Sequence, residues 1–526
     1  MGGSGAGAPG DTLTPMGRLR ARLARKPPGY RFTIGRVLAI YGAIMVAILL
    51  AALDQTIVAT ALPAIVDDLG GLTSYAWVVS AYIVPMTVTV PLYGKLGDIY
   101  GRRRLWMVAI SVFLLGSALC GMAQSMDQLI AFRIVQGMGA GGLFALAHAT
   151  IGVIVPPRDR GRYQGLFGST FVFGSIIGPA LGGILVDQAS WRWTFYVNLP
   201  VGALALFVIA LAIPKRMARR DHYLDIPGAT LLAAGTGSLL LALVWGREHG
   251  WGSTRVLGCF AAAALLLAVF AYVERRAPEP ILPFDLLRHP TVASGVLATG
   301  LAAMAMVGTI AFVPLFVQGV IGTSATASGV VLTPFMVGAV AASAISGQWI
   351  SRTGRYRPNA LAGPVVLGVG LVLLASMDTS TTNADAAIYM AVSGVGLGLM
   401  MQVFVVAVQN VVPFRAIGSA TAMTQFSRSV GSALGVTVIG VIINHGLPSG
   451  SIVEEAAVRQ LPPSLRESLA EAMQPAFLAG AGVCAITLLV VFLGLREVPL
   501  RKEFDEHEVA AAMPEAQTPA VLRSET

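Results

Sequence analysis

The chain is short of charge. Only 12% of its 526 residues are Asp, Glu, Lys or Arg, while 55% are apolar. Soluble domains carry about 25% charged residues, so this composition excludes an ordinary water-soluble domain and places the chain in a membrane. Cysteine is scarcer still: Cys120, Cys259 and Cys484 lie far apart in apolar segments. That spacing excludes a disulfide framework and a thiolate metal site, and the three read as packing residues. The sequence also lacks a Gly-x-x-x-x-Gly-Lys-Ser/Thr phosphate loop, a His/Cys ligand cluster and a nucleophile elbow. Without the phosphate loop there is no evident ATP site, and the loops between apolar segments are too short for an enzyme domain. The expectation is a protein that is not an enzyme, holds no metal or cofactor, and works from an ion gradient.

What is present is apolar length. Membrane helices need about 20 apolar residues each, and that window predicts spans at 37–63, 76–96, 105–124, 129–154, 163–187, 196–213, 228–246 and 256–273. Six more follow at 292–317, 327–346, 360–376, 386–411, 417–443 and 475–496, about fourteen in all. Sixty glycines fit helices that pack closely through small residues. The net charge of +9 comes from basic residues gathered in alternate connections, from Arg18–Arg36 and Lys95–Arg104 to Arg496–Lys502. This positive-inside pattern puts both termini in the cytoplasm of a multi-pass plasma-membrane protein and makes the basic balance topological rather than a footprint for nucleic acid. The Gly/Ser/Pro-rich start and the end after about Glu503 read as disordered, and no cleavable signal peptide is expected.

The sequence repeats once. Gly94-x6-Gly101-Arg102-Arg103-Arg104 ends the second span and Gly347-x6-Gly354-Arg355-Tyr356-Arg357 ends the tenth. The copies stand about eight helix-and-loop units apart, at ~20 residues per span. A six-plus-six repeat would separate them by six, so two helices, 228–246 and 256–273, are inserted between the halves. The expected organisation is a cytoplasmic tail 1–36, a six-helix bundle 37–213, an inserted hairpin with linkers 214–290, a second bundle 291–500 and a cytoplasmic tail 501–526. Two parallel halves are the architecture of a large transporter class.

Inside the first span stands Asp54, in Leu53-Asp54-Gln55-Thr56. A carboxylate deep in a membrane helix costs several kcal/mol by insertion scales and marks a functional site. At ~1.5 Å per residue, Asp54 lies about 25 Å from the cytoplasmic start of its span, Arg428 about 20 Å into the thirteenth, and Arg133 about 6 Å from the outer edge of the fourth. Their related depths make Arg133 and Arg428 candidate partners. A neighbouring cation favours a carboxylate and loss of water disfavours it, so a residue held between these influences can exchange a proton. A static ion pair is the alternative. His148, at the inner end of the fourth span, reads as a satisfied polar residue or a proton relay, while Gln409 and the glutamines Gln136, Gln318, Gln402 and Gln425 are polar groups on apolar helices that line a cavity or bond helix to helix. Tyr82, Met86 and Phe171 fit an adaptable apolar pocket or plain packing.

Several motifs resemble one family. Gly94-x-Leu96-x-Asp98-x-x-Gly101-Arg102-Arg103 resembles the signature cytoplasmic loop of the major facilitator superfamily, and Arg133-x-x-Gln136-Gly137-x-Gly139-Ala140-Gly141 its fourth-helix motif. Gly174-x3-Gly178-Pro179-x2-Gly182-Gly183 is similar to its antiporter motif. Leu53-Asp54-x-Thr56 through Pro63, with Trp191-Arg192-Trp193 and Asn198-Leu199-Pro200, resembles the fourteen-span drug:proton antiporters. The resemblance implies an all-α integral membrane protein of the major facilitator fold, with two pseudo-symmetric six-helix bundles plus two inserted helices. It implies a monomer that exchanges protons for hydrophobic or cationic drugs across a bacterial plasma membrane. Asp98 with Arg102 and Arg103 would clamp the halves on the cytoplasmic side. The second loop has Ser351 at the place of Asp98 and is degenerate. The glycines would form a groove, and Pro179 a bend, that bias the carrier towards exchange. Two other readings stay open: export of a lipid or self-made metabolite, for which an amphipathic-looking Ser464–Met473 in the long outer connection is slight support, and a non-transporting sensor, against which the intact Asp54 and antiporter motif argue.

Overall fold

The computed structural model describes residues 34–70, 75–155, 157–213, 225–323, 325–446 and 462–500; the expected tails and 447–461 of the 444–474 connection lie outside the described residues. The long helices are α1 (Ile34–Leu69), α2 (Tyr75–Tyr100), α3 (Arg102–Gly121), α4 (Met126–Ile154), α5 (Pro157–Gln188), α6 (Asn198–Ala212) and α7 (Ile226–His249). They continue as α8 (Thr254–Glu274), α9 (Pro290–Gly319), α10 (Ala325–Thr353), α11 (Arg357–Ala375), α12 (Asn383–Met400), α13 (Ile417–Gly446) and α14 (Pro463–Gly494). A turn at Trp193–Tyr196 precedes α6, and a break at Met401–Gln402 separates α12 from a short continuation, Val403–Val411.

Polar side chains start several of these helices by satisfying free amides. Ser125 accepts from Gln128 N, Asp225 from Gly228 N, and Thr382 with Asp385 forms a full capping box. The helices end where the apolar runs end. Thirteen stretches among the described residues are long and apolar enough to cross a bilayer. The expected fifth span lies within α5, a 32-residue helix whose first turns carry Asp159, Arg160 and Arg162. Ser464–Met473 is not a separate amphipathic segment. It forms the first turns of α14, with Leu469, Ala470, Ala472 and Met473 buried. Large apolar side chains face outward elsewhere, among them Phe207 and Leu211 on α6 and Leu265 on α8; lipid, not water, suits such a surface.

The two bundles repeat one packing scheme. In the first, α4 lies against α2 and α3, α1 against α5 and α6, and α3 against α6. In the second, α12 lies against α10 and α11, α9 against α13 and α14, and α11 against α14. Glycines on α4 and α12 set the closest approaches. A side chain at Gly137 or Gly139 would strike the backbone of Tyr82 or Phe113, and one at Gly394 or Gly396 would strike that of Phe335 or Leu367. Between the bundles, α5 meets α10 and α13 meets α2 and α4. The inserted α7–α8 hairpin rests on α2 and α13 through α7, with Leu232, Phe270, Ile281 and Leu282 packed around Met423, Leu92 and Phe426.

Candidate functional site

Asp54 is fully enclosed, 0% exposed, where α1, α4 and α6 converge. Arg133 Nη1 donates to its Oδ2 at 2.7 Å; Gln136 Nε2 and Asn198 Nδ2 donate to its Oδ1 at 2.7 and 2.9 Å. Arg133 and Gln136 stand one helical turn apart on α4, so both reach the same carboxylate, and Arg133 Nη1 also donates to Gln136 Oε1 at 2.8 Å. Ser117 on α3 accepts from Gln136 and from Asn198. Arg133 Nε donates to the Val78 carbonyl, and its guanidinium lies 4.1 Å from the centroid of the Tyr82 ring. Such a buried charge pair is tolerated because both carboxylate oxygens of Asp54 accept hydrogen bonds.

The structure thus brings Asp54, Arg133, Gln136 and Tyr82 together. Tyr82 and Gln136, expected to line a cavity, are enclosed in this network at 1% and 0% exposure; the small residues Gly137 and Gly139 pull α2 and α3 over them. Asn198 was visible in the sequence only as part of a motif. Ser117 carried no signal, being a small hydroxyl in an apolar run.

Beside this network runs the glycine groove of α5. Thr56, two residues after Asp54, occupies the place a side chain at Gly178 would need and donates to the Gly174 carbonyl at 3.4 Å. Thr60 fills the space over Gly182. Gly183 does not belong to the groove: nothing lies within 4 Å of where its Cβ would be, because its place on the helix turns away from α1. The side chains of Pro179 and Phe171 lie outside the described residues. The second bundle has the same device, with Gly431 and Gly435 of α13 against the backbone of Gly300 and Met304 on α9.

At the end of the molecule that carries the Gly94–Arg104 loop, the basic end, the bundles are joined. Asp98 accepts from Arg102 Nη2 at 3.1 Å and from the Ser419 amide, in the first turn of α13, at 3.1 Å. A carboxylate at a helix N-terminus meets free amides and the positive end of the helix dipole. Arg102 Nη1 donates to the Ala149 carbonyl at 2.6 Å, and Gly101, at φ 85°, makes the left-handed turn from α2 into α3. Arg103 is not among the partners of Asp98. Gly94 lies so close to α13 that the Ala422 methyl group fills its side-chain space. Lys95 reaches Glu279 in the linker behind the hairpin at 3.6 Å.

The second copy of the loop is not inert. Ser351 Oγ donates to Asp159 Oδ1 in the first turn of α5 at 3.1 Å, so here the acid comes from the opposite bundle. Close by, Arg160 Nη1 donates to the Gln409 carbonyl and Gln164 Nε2 to Gln409 Oε1, while Gln409 Nε2 donates to the His148 carbonyl. Among the described residues, the hydrogen bonds between bundles gather at this end.

Arg428 does not meet Asp54. Its guanidinium lies 5.9 Å from the centroid of the Phe144 ring, and Phe144 stands about 16 Å along α4 from Arg133 at ~1.5 Å per residue. Depth counted along one helix does not carry over to a helix of the other bundle, because α13 begins at the seal. Gln402 and Gln425 are buried, at 6% and 2% exposure, each with Oε1 unpaired; Gln318 is half-buried.

Residues 44–436 match the sequence profile described as Major Facilitator Superfamily. The chain is 39% identical over 427 residues to the multidrug transporter protein MdtP of Bacillus subtilis, covering 81% of this chain and 78% of that one. It is 32% identical over 428 residues to the acurin A biosynthesis cluster MFS-type transporter of Aspergillus aculeatus, covering 80% and 76%. Among solved structures, the proton:xylose symporter XylE superposes with a TM-score of 0.64 at 12% identity over 91% of this chain and all of that one, a likeness of fold alone.

Proposed function

Because the chain belongs to the major facilitator superfamily, and is therefore a multi-pass membrane transporter of small substrates, we propose that it is a proton-coupled antiporter exporting hydrophobic, drug-sized molecules across a bacterial plasma membrane. The positive-inside distribution supports taking the basic end as cytoplasmic. The observation that carries the reading is the enclosed Asp54–Arg133 pair, which ties α1 to α4 at 2.7 Å.

The geometry suggests a sequence of events. Protonation of Asp54 removes its negative charge, and Arg133 Nη1 keeps Gln136 Oε1 as its partner. The hold of α4 and α6 on α1 then weakens, since hydrogen bonds to an ionised group are about twice as strong as neutral ones. On its other face α1 is locked to α5 through Thr56 and the glycine groove. Helix α5 in turn carries Asp159, Arg160 and Gln164, which join the bundles at the basic end. A contiguous set of contacts therefore links the proton-binding carboxylate to the seal, as a two-state rocking element requires. One proton moving down the membrane potential supplies ~2.3 kcal/mol per 100 mV.

The test is exchange in liposomes with an imposed pH gradient and a panel of dyes. Wild-type protein should show substrate-dependent proton flux, and Asp54→Asn should lose it by at least about a hundredfold, equal to ~2.7 kcal/mol at 1.36 kcal/mol per decade. Unchanged proton flux in Asp54→Asn would sink the assignment. The fungal relative named for a biosynthesis cluster favours a second reading, export of a self-made metabolite. Accumulation of one cell-made compound on deletion of the gene, with no change in dye resistance, would establish that reading in place of the first.

A further inference from the structure

Asp54 is the acidic side chain that the described helices hold in mid-span; every other one lies in a loop or within three turns of a helix end. Three donors engage it and none of it is exposed. It therefore offers no anion to a cationic cargo. The opposite holds for the cation on the facing bundle. Arg428 is half-buried on α13 against the face of Phe144, with no acidic partner among the described residues. It stands six residues, about 9 Å at ~1.5 Å per residue, beyond Ala422, whose contact with Gly94 belongs to the seal. It thus lies beyond the seal, on the side of α13 that meets Phe144 of α4.

The surroundings of Arg428 form a small built site. One turn earlier, Gln425 is 2% exposed and has an unpaired Oε1; a side-chain amide can turn to present its NH2 donors to an acceptor. Phe144 supplies an aromatic face. His148, one turn further along α4, lies within electrostatic reach of Arg428 and bonds the Phe144 carbonyl at 3.2 Å. An intramembrane arginine without a counter-ion is costly and is held where a pathway uses it. Guanidinium plus amide donors match a carboxylate or sulfonate, with geometry suited to bidentate pairing.

We infer that Arg428, with Gln425 and Phe144, is a recognition site for an amphipathic organic anion, the acid on Arg428 and the apolar body against Phe144. The inference rests on the reading of the chain as an exporter, and it replaces the cationic cargo that the family resemblance implies.

Two xanthene dyes of similar shape and opposite charge test it, fluorescein as the anion and rhodamine 6G as the cation. Binding is measured by fluorescence anisotropy on the purified protein, and export in liposomes with a pH gradient. Wild type should bind and export fluorescein in preference. Arg428→Gln should weaken fluorescein binding by at least about tenfold, the usual scale for losing a charged hydrogen bond, and leave rhodamine 6G and the melting temperature unchanged. Arg428→Lys should retain part of the affinity, and Arg428→Glu should reverse the preference. Equal fluorescein binding by wild type and Arg428→Gln, no fluorescein binding by wild type, or selective export of rhodamine 6G each overturns the inference. The exporter reading fails separately: Arg428-dependent binding without proton flux leaves the anion site standing and removes proton coupling.

Discussion

The two bundles share their packing but not their polarity. The glycine contacts align them residue by residue: Gly137 on Tyr82 and Gly139 on Phe113 in the first correspond to Gly394 on Phe335 and Gly396 on Leu367 in the second, and Gly178 on Thr56 corresponds to Gly435 on Met304. In that register Arg133 corresponds to Met390, Gln136 to Ser393, Tyr82 to Phe335 and Asp54 to Ala302. The second bundle closes the same helix arrangement over an apolar core containing Phe316, Phe335, Met390, Phe404 and Phe477. The fold therefore does not require the charged network. The first bundle keeps it at a cost in desolvation, which argues for a task other than stability.

The largest expected effect comes from leaving one charge alone. Arg133→Met strands Asp54 in a dry site and should cost about 3–5 kcal/mol, the usual range for breaking a buried pair, seen as a steep fall in melting temperature. Transplanting the second bundle's residues together, as Asp54→Ala, Arg133→Met and Gln136→Ser, leaves no buried charge. This triple variant should recover most of that loss, reach the membrane folded, and show no proton exchange. A triple variant as unstable as Arg133→Met would mean that the two bundles differ in more than polarity.

The loops give a smaller contrast. Asp98→Asn removes a charged acceptor from the Ser419 amide and from Arg102, and should destabilise the closed basic end by about 1.5–3 kcal/mol; Ser351→Ala removes one hydroxyl donor to Asp159 and should cost about 0.5–1.5 kcal/mol. Spin-label distances across the basic end would rank the two, and equal opening would show that the copies work alike. The smallest effect concerns Asp68 at the C-terminal end of α1. Hydrogen bonds from Trp191 and Arg192, both at 2.9 Å, hold its carboxyl below the usual carboxylate range. A lowered folded-state value adds stability above the unfolded one of ~3.9, lost only as pH falls through the lowered value. Melting temperature should be flat from pH 8 to 5 on this account, and Asp68→Asn should matter least in acid.

Much of this was legible in the sequence because membrane helices write their length and their charge plainly. Asp54 stood out as a carboxylate among apolar residues, and the repeat of Gly94–Arg104 at Gly347–Arg357 located the inserted hairpin. Arg133 was found as its partner because both sit on the first bundle, where helix depth is a common scale. Arg428 was misplaced because no sequence rule fixes how far one bundle is displaced along the other. Gln136 and Tyr82 read in sequence as cavity-wall residues because polarity on an apolar helix does not say which face is covered; the glycines that cover it act through backbone contacts. By sequence Ser351 reads as a lost aspartate, whereas in the fold the acid is supplied by α5 as Asp159.

The hairpin also gives the molecule a handedness toward the surrounding lipid. Two lines of contact run between the bundles, α2 with α13 and α5 with α10. The first is roofed by α7. The second carries bare apolar side chains on both sides, Phe173 and Ile184 on α5 and Val337 and Ile345 on α10, each more than half exposed. A molecule dissolved among acyl chains meets a wall of protein on one flank and a greasy, unroofed joint on the other. Among the described residues it is this joint that lies open to lipid, so a bulky label at Ile345 should hinder sideways entry more than the same label on α7.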